Sequence, residues 1–302
     1  MSEFARIGDA PRPATSQGME ERLRHVITTE MAQDPGSTVR GLDRVGIRVT
    51  VEGADIAGLH INATGLEVVA DAGDGDAQAI STDVTADVED MAQVKAREPG
   101  LLRRATFTAA PMLFPGRTPV EVQAEAVDVP FEWLELDDGG LAIGMPEHVS
   151  RGQRRAMTLR LHVAFSPDDV LAAVMTEIRG ELTDVNGMRL DRESLTFTRK
   201  GPRRIRIRLS VRLRWKFLRA TCRARTELHI DNRFVARLSG TRVTSSNLLL
   251  AVVLRGLRGK INRELSKPLD LQAEIGELLA LRTLRIDADT ASVGVALEAG
   301  LA

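Results

Sequence analysis

The stretch Arg204-Ile-Arg-Ile-Arg-Leu-Ser-Val-Arg-Leu-Arg-Trp-Lys-Phe217 alternates without a break. Its odd positions, Ile205, Ile207, Leu209, Val211, Leu213, Trp215 and Phe217, are apolar. Its even positions, Arg204, Arg206, Arg208, Ser210, Arg212, Arg214 and Lys216, are cationic apart from the serine. A period of two sends alternate side chains to opposite faces, so the stretch predicts one strand with an oily face and a cationic face. At about 3.3 Å per residue it would run roughly 45 Å, more than twice an ordinary strand. That length predicts a long, twisted and curved sheet, able to line an elongated apolar groove.

Around this strand the charge is concentrated: residues 199–225 hold twelve Lys or Arg and no acid. A solvated strand surface is the plain explanation, but a row of this density repels itself unless something anionic lies nearby. The 302-residue chain has a formal net charge of −1, which hides a polarity. Residues 1–150 carry 12 Lys+Arg against 26 Asp+Glu, and residues 151–302 carry 29 against 16. Either the basic end meets an anionic partner or the two halves neutralise each other by contact. A hydrophobic content of 43% supports one large or two modest packed domains. The expected division is a flexible leader over residues 1–17 and one domain over 18–302, with an acidic half 18–150 and a basic half 151–302.

Most of the remaining chain also reads as strands. Met19 to Gln33 has helical spacing, with Leu23, Val26, Ile27 and Met31 on one face. Alternating runs follow at Val45–Val51, Ile56–Ile61 and Leu66–Ala70, punctuated by Gly53, Gly58 and Gly65. Residues 81–102 read as a strand followed by a helix. From Val120 the alternation resumes and changes parity at Val127, as a β-bulge or a new strand would make it do. Asp137-Asp138-Gly139-Gly140, Asn186-Gly187 and Asp231-Asn232 are hairpin turns. Ser166-Pro167-Asp168-Asp169 starts a helix that stops at Gly180. The most apolar helix is expected from Asn247 to about Leu265, and a last hairpin closes the chain.

The composition and motifs exclude several chemistries. The five His residues show no metal-ligand spacing, and no phosphate cradle, nucleophile elbow or kinase signature is present, so the expectation is a protein without catalytic residues, metal or cofactor. The acidic run Asp71–Asp76 lacks the calcium-loop pattern. Tyr is absent and aromatic residues are 3%, which argues against stacking platforms for nucleic acid. The lone Cys222 cannot form an intrachain disulfide, and a single thiol of this kind is usually inert. Met1 to Gly18 has no apolar core of signal-peptide length, which points to a cytoplasmic location or the inner face of a membrane.

The run Val-Asp-Val-Pro-Phe-Glu-Trp-Leu at Val127–Leu134, and Thr-Arg-Val-Thr-Ser-Ser-Asn-Leu-Leu-Leu at Thr241–Leu250 ahead of an apolar helix, resemble the LmeA-type phospholipid-binding domain of bacterial cell envelopes. That family is similar to the tubular lipid-binding (TULIP) superfamily. The resemblance spans about Leu42 to Leu271 and implies a β-rich α+β fold in which a long curved antiparallel sheet wraps an apolar helix. It implies a binder of an acyl-chain ligand such as phospholipid, acting at the cell envelope, with no catalytic residues to transfer.

The expected lipid groove is lined by Ile205, Ile207, Leu209, Val211, Leu213, Trp215 and Phe217 of the strand and by Leu249, Val253, Leu257 and Ile261 of the helix. Simple core filling is the competing account of the same side chains, each worth about 1.5 to 3 kcal/mol when buried. Arg204, Arg206, Arg208, Arg212, Arg214 and Lys216 are expected to meet anionic head groups, where each cation near the surface contributes about 1 kcal/mol. The rival reading gives the same arginines to a polyanion, or to an acidic protein that includes the acidic half of a second copy in a homo-oligomer.

Overall fold

The computed structural model describes residues 4–33, 37–70, 94–114, 118–182, 188–215, 218–247, 268–276 and 278–302. The chain divides into two compact units, Met1–Pro115 with Glu121–Leu161 and Leu301, and Gly116–Val120 with His162–Gly300 and Ala302. The fold is α+β and strand-rich.

In the first unit the strands are β1 (Phe4–Asp9), β2 (Ser37–Arg40), β3 (Gly46–Glu52), β4 (Asp55–Asn62), β5 (Glu67–Ala70), β6 (Val94–Phe114), β7 (Thr118–Leu136) and β8 (Gly140–Gly144), and the first helix is α1 (Ser16–Gln33). They form a mixed sheet in the order β7-β6-β4-β3. The β3–β4 hairpin is antiparallel, and β4 and β5 run parallel to β6. Strand β3 ends the row, and its free N–H groups are met by α1: Val51 N donates to Ser16 Oγ at 3.2 Å and Val49 N to Glu20 Oε1 at 2.9 Å. Covering an edge this way removes a template for aggregation.

Phe4–Asp9 corrects the expected flexible leader. It is a strand paired with β8, and Ile7 is buried at 4% exposure. The parity change at Val127 also resolves: β7 is one continuous strand, and Asp128 takes a left-handed φ of 53° inside it. Aspartate is among the few residues that tolerate this conformation. Downstream of it Phe131 and Trp133 enter the core, with ring centroids 5.0 Å apart and edge to face. Trp133 Nε1 donates to Ala54 O at 2.8 Å, which satisfies its buried polar atom. Val94–Phe114 contains Pro99, Gly100 and Pro111 and was expected as strand and then helix up to Leu102, yet it is a 21-residue strand. Gly100 is required there: an added Cβ would stand 2.6 Å from Phe131 Cζ and 2.7 Å from Ala54 O.

Among the described residues, several acids of this unit pair with nearby cations. Glu125 takes Arg104 and Arg160, Glu132 takes Arg97, Glu135 takes Lys95, Glu98 takes Arg12, and Glu52 and Asp55 share Arg103.

After α2 (Arg151–Ala156), strand β9 (Thr158–Phe165) leads into the second unit, followed by α3 (Pro167–Leu182), β10 (Met188–Gly201), β11 (Arg204–Trp215), β12 (Leu218–Ile230), β13 (Val235–Ser245), β14 (Leu269–Asp270), a helical turn at Leu271–Glu274, β15 (Leu279–Ala288) and β16 (Val293–Leu301). Strands β10 to β14 form a five-stranded antiparallel sheet in sequence order. Its core joins Ile205, Ile230, Leu284, Ile286 and Val293, with Phe165, Phe197, Ile207, Leu228 and Phe234 packed around them.

Arg203 ties this core to the β12–β13 hairpin. Its Nε donates to Leu284 O, its Nη1 donates to Asp231 O and Asn232 Oδ1, each at 3.3 Å, and its guanidinium lies 4.9 Å from the Phe234 ring centre. Phe234 closes the hairpin with a left-handed φ of 61°.

Candidate functional site

Alternation along Arg204–Trp215 sorts the side chains of β11 as its sequence requires. Ile205 and Val211 are buried and Ile207 and Leu209 partly so, whereas Arg204, Arg208, Arg212 and Arg214 are exposed. Arg206 is the exception on the cationic face, because Glu227 of β12 stands opposite and accepts from it.

Strand β12 repeats the pattern. Arg219, Thr221, Arg223, Arg225, Glu227 and His229 share the face of the β11 arginines, and Leu218, Ala220, Cys222, Ala224, Thr226 and Leu228 share the face of Ile205. Cys222 lies opposite Val211 and is half-buried. Strand β13 continues the cationic face with Arg237 opposite His229 and Arg242 opposite Arg225. These two arginines differ in parity, and one feature reconciles them: the register shifts by one residue between Arg225 and Glu227, where Gly240 takes a φ of 64°. The bulge is held by Thr226 Oγ1, which is 3.0 Å from Thr241 Oγ1. A second shift, between Leu190 and Arg192 of β10, puts Arg192 opposite Arg212 and Arg189 opposite Arg214. Two irregularities therefore bring arginines of both parities into line with the β11 row.

The result is a sheet face of arginine, serine and threonine with little compensating charge. Strands β11, β12 and β13 contain one acid, Glu227. It lies 2.7 Å from Arg206 and 3.3 Å from Arg225, and these two hydrogen bonds, the Arg206 one the stronger, hold its carboxyl below the usual glutamate range. Among the described residues Arg204, Arg208, Arg212, Arg214, Arg223 and Arg242 have no ion-pair partner. Among the described residues of β11, β12 and β13, His229 carries the one aromatic ring on this face, and no Phe or Trp joins it as a stacking platform for bases.

The opposite face is not uniform. At the Ile205 end the protein fills it: Ile205 is 2% exposed and packs with Leu284, Ile286 and Val293. Of the expected groove residues, Ile205 and Ile207 therefore sit in a protein core; further along the same face Val211 is also buried, at 8% exposure, and Leu209 is partly buried. Leu213 and Trp215 lie on β11, opposite Ala220 and Leu218. Lys216, Phe217, Leu249, Val253, Leu257 and Ile261 lie outside the described residues.

Reading β11 alone missed the arginines of β12 and β13. The signal was present for β12, since Leu218–Ile230 alternates as regularly as Arg204–Phe217. It was weaker for β13, where the bulge breaks the period. Among the described residues no helix is long and apolar enough to cross a membrane, and no three His, Cys, Asp or Glu side chains gather as a metal would need. No family model, no curated protein and no solved structure matches this chain.

Proposed function

We propose that the protein is a non-catalytic lipid-binding protein that works peripherally at the inner face of a membrane. The arginine face of β11–β13 meets anionic head groups. An acyl chain, such as that of a phospholipid, lies against the apolar face of the same sheet beyond Val211, toward Trp215. In this reading the sheet curves around the apolar segment 247–265 in a tubular arrangement.

The observation that carries the proposal is the exposed cationic face of β11, β12 and β13, which holds a single acid, Glu227, and which the register shift at Gly240 extends onto β13. Each arginine within a Debye length of an anionic surface, about 10 Å at 0.1 M salt, contributes about 1 kcal/mol, so six of them suffice for strong localisation.

A second reading is favoured by a specific observation. Because Ile205 and Ile207 are packed on protein, the apolar face accounts for itself in part without a ligand, and the arginine face then serves as a docking scaffold for a polyanion or an acidic protein. Organic extraction of the purified protein with mass spectrometry, together with flotation on vesicles containing anionic lipid, separates the two. Co-purified phospholipid and salt-sensitive flotation support the first reading. Absorbance near 260 nm in the purified material, or neither lipid nor flotation, overturns it in favour of the second.

A further inference from the structure

Directly opposite residues on antiparallel strands share a face, and here Arg208 stands opposite Arg225, which stands opposite Arg242. Three arginines thus start from one line across β11, β12 and β13, with Cβ atoms about 5 Å apart at each step. All three are exposed. The adjacent line holds Ser210 opposite Arg223, and Arg223 opposite Thr244. Glu227, the one acid of these strands, is engaged by Arg206 and reaches Arg225 at 3.3 Å; among the described residues Arg208, Arg223 and Arg242 have no ion-pair partner.

Resting on the membrane reading above, we infer that this line seats a phosphomonoester, the terminal phosphate of a lipid head group. A phosphomonoester carries about −1.5 to −2 charges and three acceptor oxygens. A phosphodiester or carboxylate head group brings a single charge and two free oxygens. Arg208 and Arg242, with Arg225 between them shared with Glu227, give the line a net charge of about +2 and three forked, charge-assisted donors, which match the first in both charge and acceptor number. Arg223 and the Ser210 hydroxyl, one line away, supply further donors. Arg204 and Arg237, at one end of the face, have His229 between them in place of a third arginine and act as general attraction for the surface.

The test is flotation of the full chain with phosphatidylcholine vesicles that carry either phosphatidic acid or phosphatidylglycerol, adjusted to equal zeta potential. The expected result is about tenfold tighter binding to phosphatidic acid. Arg208→Gln with Arg242→Gln removes that preference. Arg204→Gln with Arg237→Gln removes the same charge, weakens binding to both vesicles and keeps the preference. Equal binding of the wild type to the two vesicles overturns the phosphomonoester assignment and leaves the membrane reading standing. Binding to neither overturns both. A preference that survives in the Arg208→Gln/Arg242→Gln protein overturns the placement. Calorimetric binding of glycerol 3-phosphate alone, as tight as binding to the vesicles, overturns the lipid source in favour of a soluble phosphate.

Discussion

Arg206 and Glu227 face each other across β11 and β12, with Nη2 2.7 Å from Oε1, and form the one neutralised position in a row of exposed arginines. Replacing Glu227 by Gln releases Arg206 and Arg225 and adds one positive charge to the face. The expected outcome is about fivefold tighter binding to anionic vesicles, the effect of one added cation near such a surface. Vesicle flotation measures it, and unchanged or weaker binding would show that the face does not meet the membrane.

The same carboxyl makes a prediction about acid. Its folded pKa lies below the ordinary 4.5, so its contribution to stability is complete above that value and is lost as the pH falls through the folded pKa. Asp231, held below the usual 3.8 first by the Val235 N–H and then by that of Arg233, behaves alike. Chemical denaturation at pH values from neutral to below 3.8 is expected to show a shallower acid loss for Glu227→Gln and for Asp231→Asn than for the wild type.

Arg203 holds the β12–β13 hairpin to β15 through three hydrogen bonds and the face of Phe234. Arg203→Ala is expected to lower stability by about 2 kcal/mol, from the lost bonds and the lost cation–π contact. Arg203→Lys recovers only part of this, since an ammonium cannot reproduce the planar fork. Urea denaturation of the two variants decides the matter; equal stability of wild type and Arg203→Ala would remove Arg203 from the account of the core.

Gly100 and Phe131 are coupled by space. Gly100→Ala forces a methyl group to within 2.6 Å of the Phe131 ring and is expected to cost about 1 to 3 kcal/mol. In a Phe131→Leu background the same change costs less, because one of its two obstacles is gone, and a double-mutant cycle reads the difference. Additive costs would mean that the ring does not constrain this position.

Gly240 sets the parity of β13. Gly240→Ala meets no neighbouring atom but must hold a φ of 64°, which costs about 1 kcal/mol or more. Deleting Gly240 removes the extra residue of the bulge, so regular pairing keeps Arg242 opposite Arg225 and Thr244 opposite Arg223, and the variant is expected to be at least as stable as Gly240→Ala. A deletion variant much less stable than Gly240→Ala would contradict the register.

Period-two alternation was enough to read β11, β3 and β4 from the residues, because a side chain's face in a strand depends on its own position and on little else. The parity change in β7 was legible for the same reason, although only the tertiary structure showed that Asp128 absorbs it within a single strand. Phe4–Asp9 and Val94–Phe114 were not legible. The first is a strand because β8 supplies its hydrogen bonds, and the second survives two prolines and a glycine because its neighbours fix its path.

The sequence by itself determined that β11 has an oily side and a cationic side, and that the surrounding stretch has no acid to balance it. Only the tertiary structure decided which arginines share that cationic side, since pairing register between strands, and the shifts at Gly240 and near Asp191, depend on backbone hydrogen bonds made across the sheet. It also decided that Ile205 and Ile207 are core, because the side chains that bury them, Leu284, Ile286 and Val293, come from strands some eighty residues further along the chain.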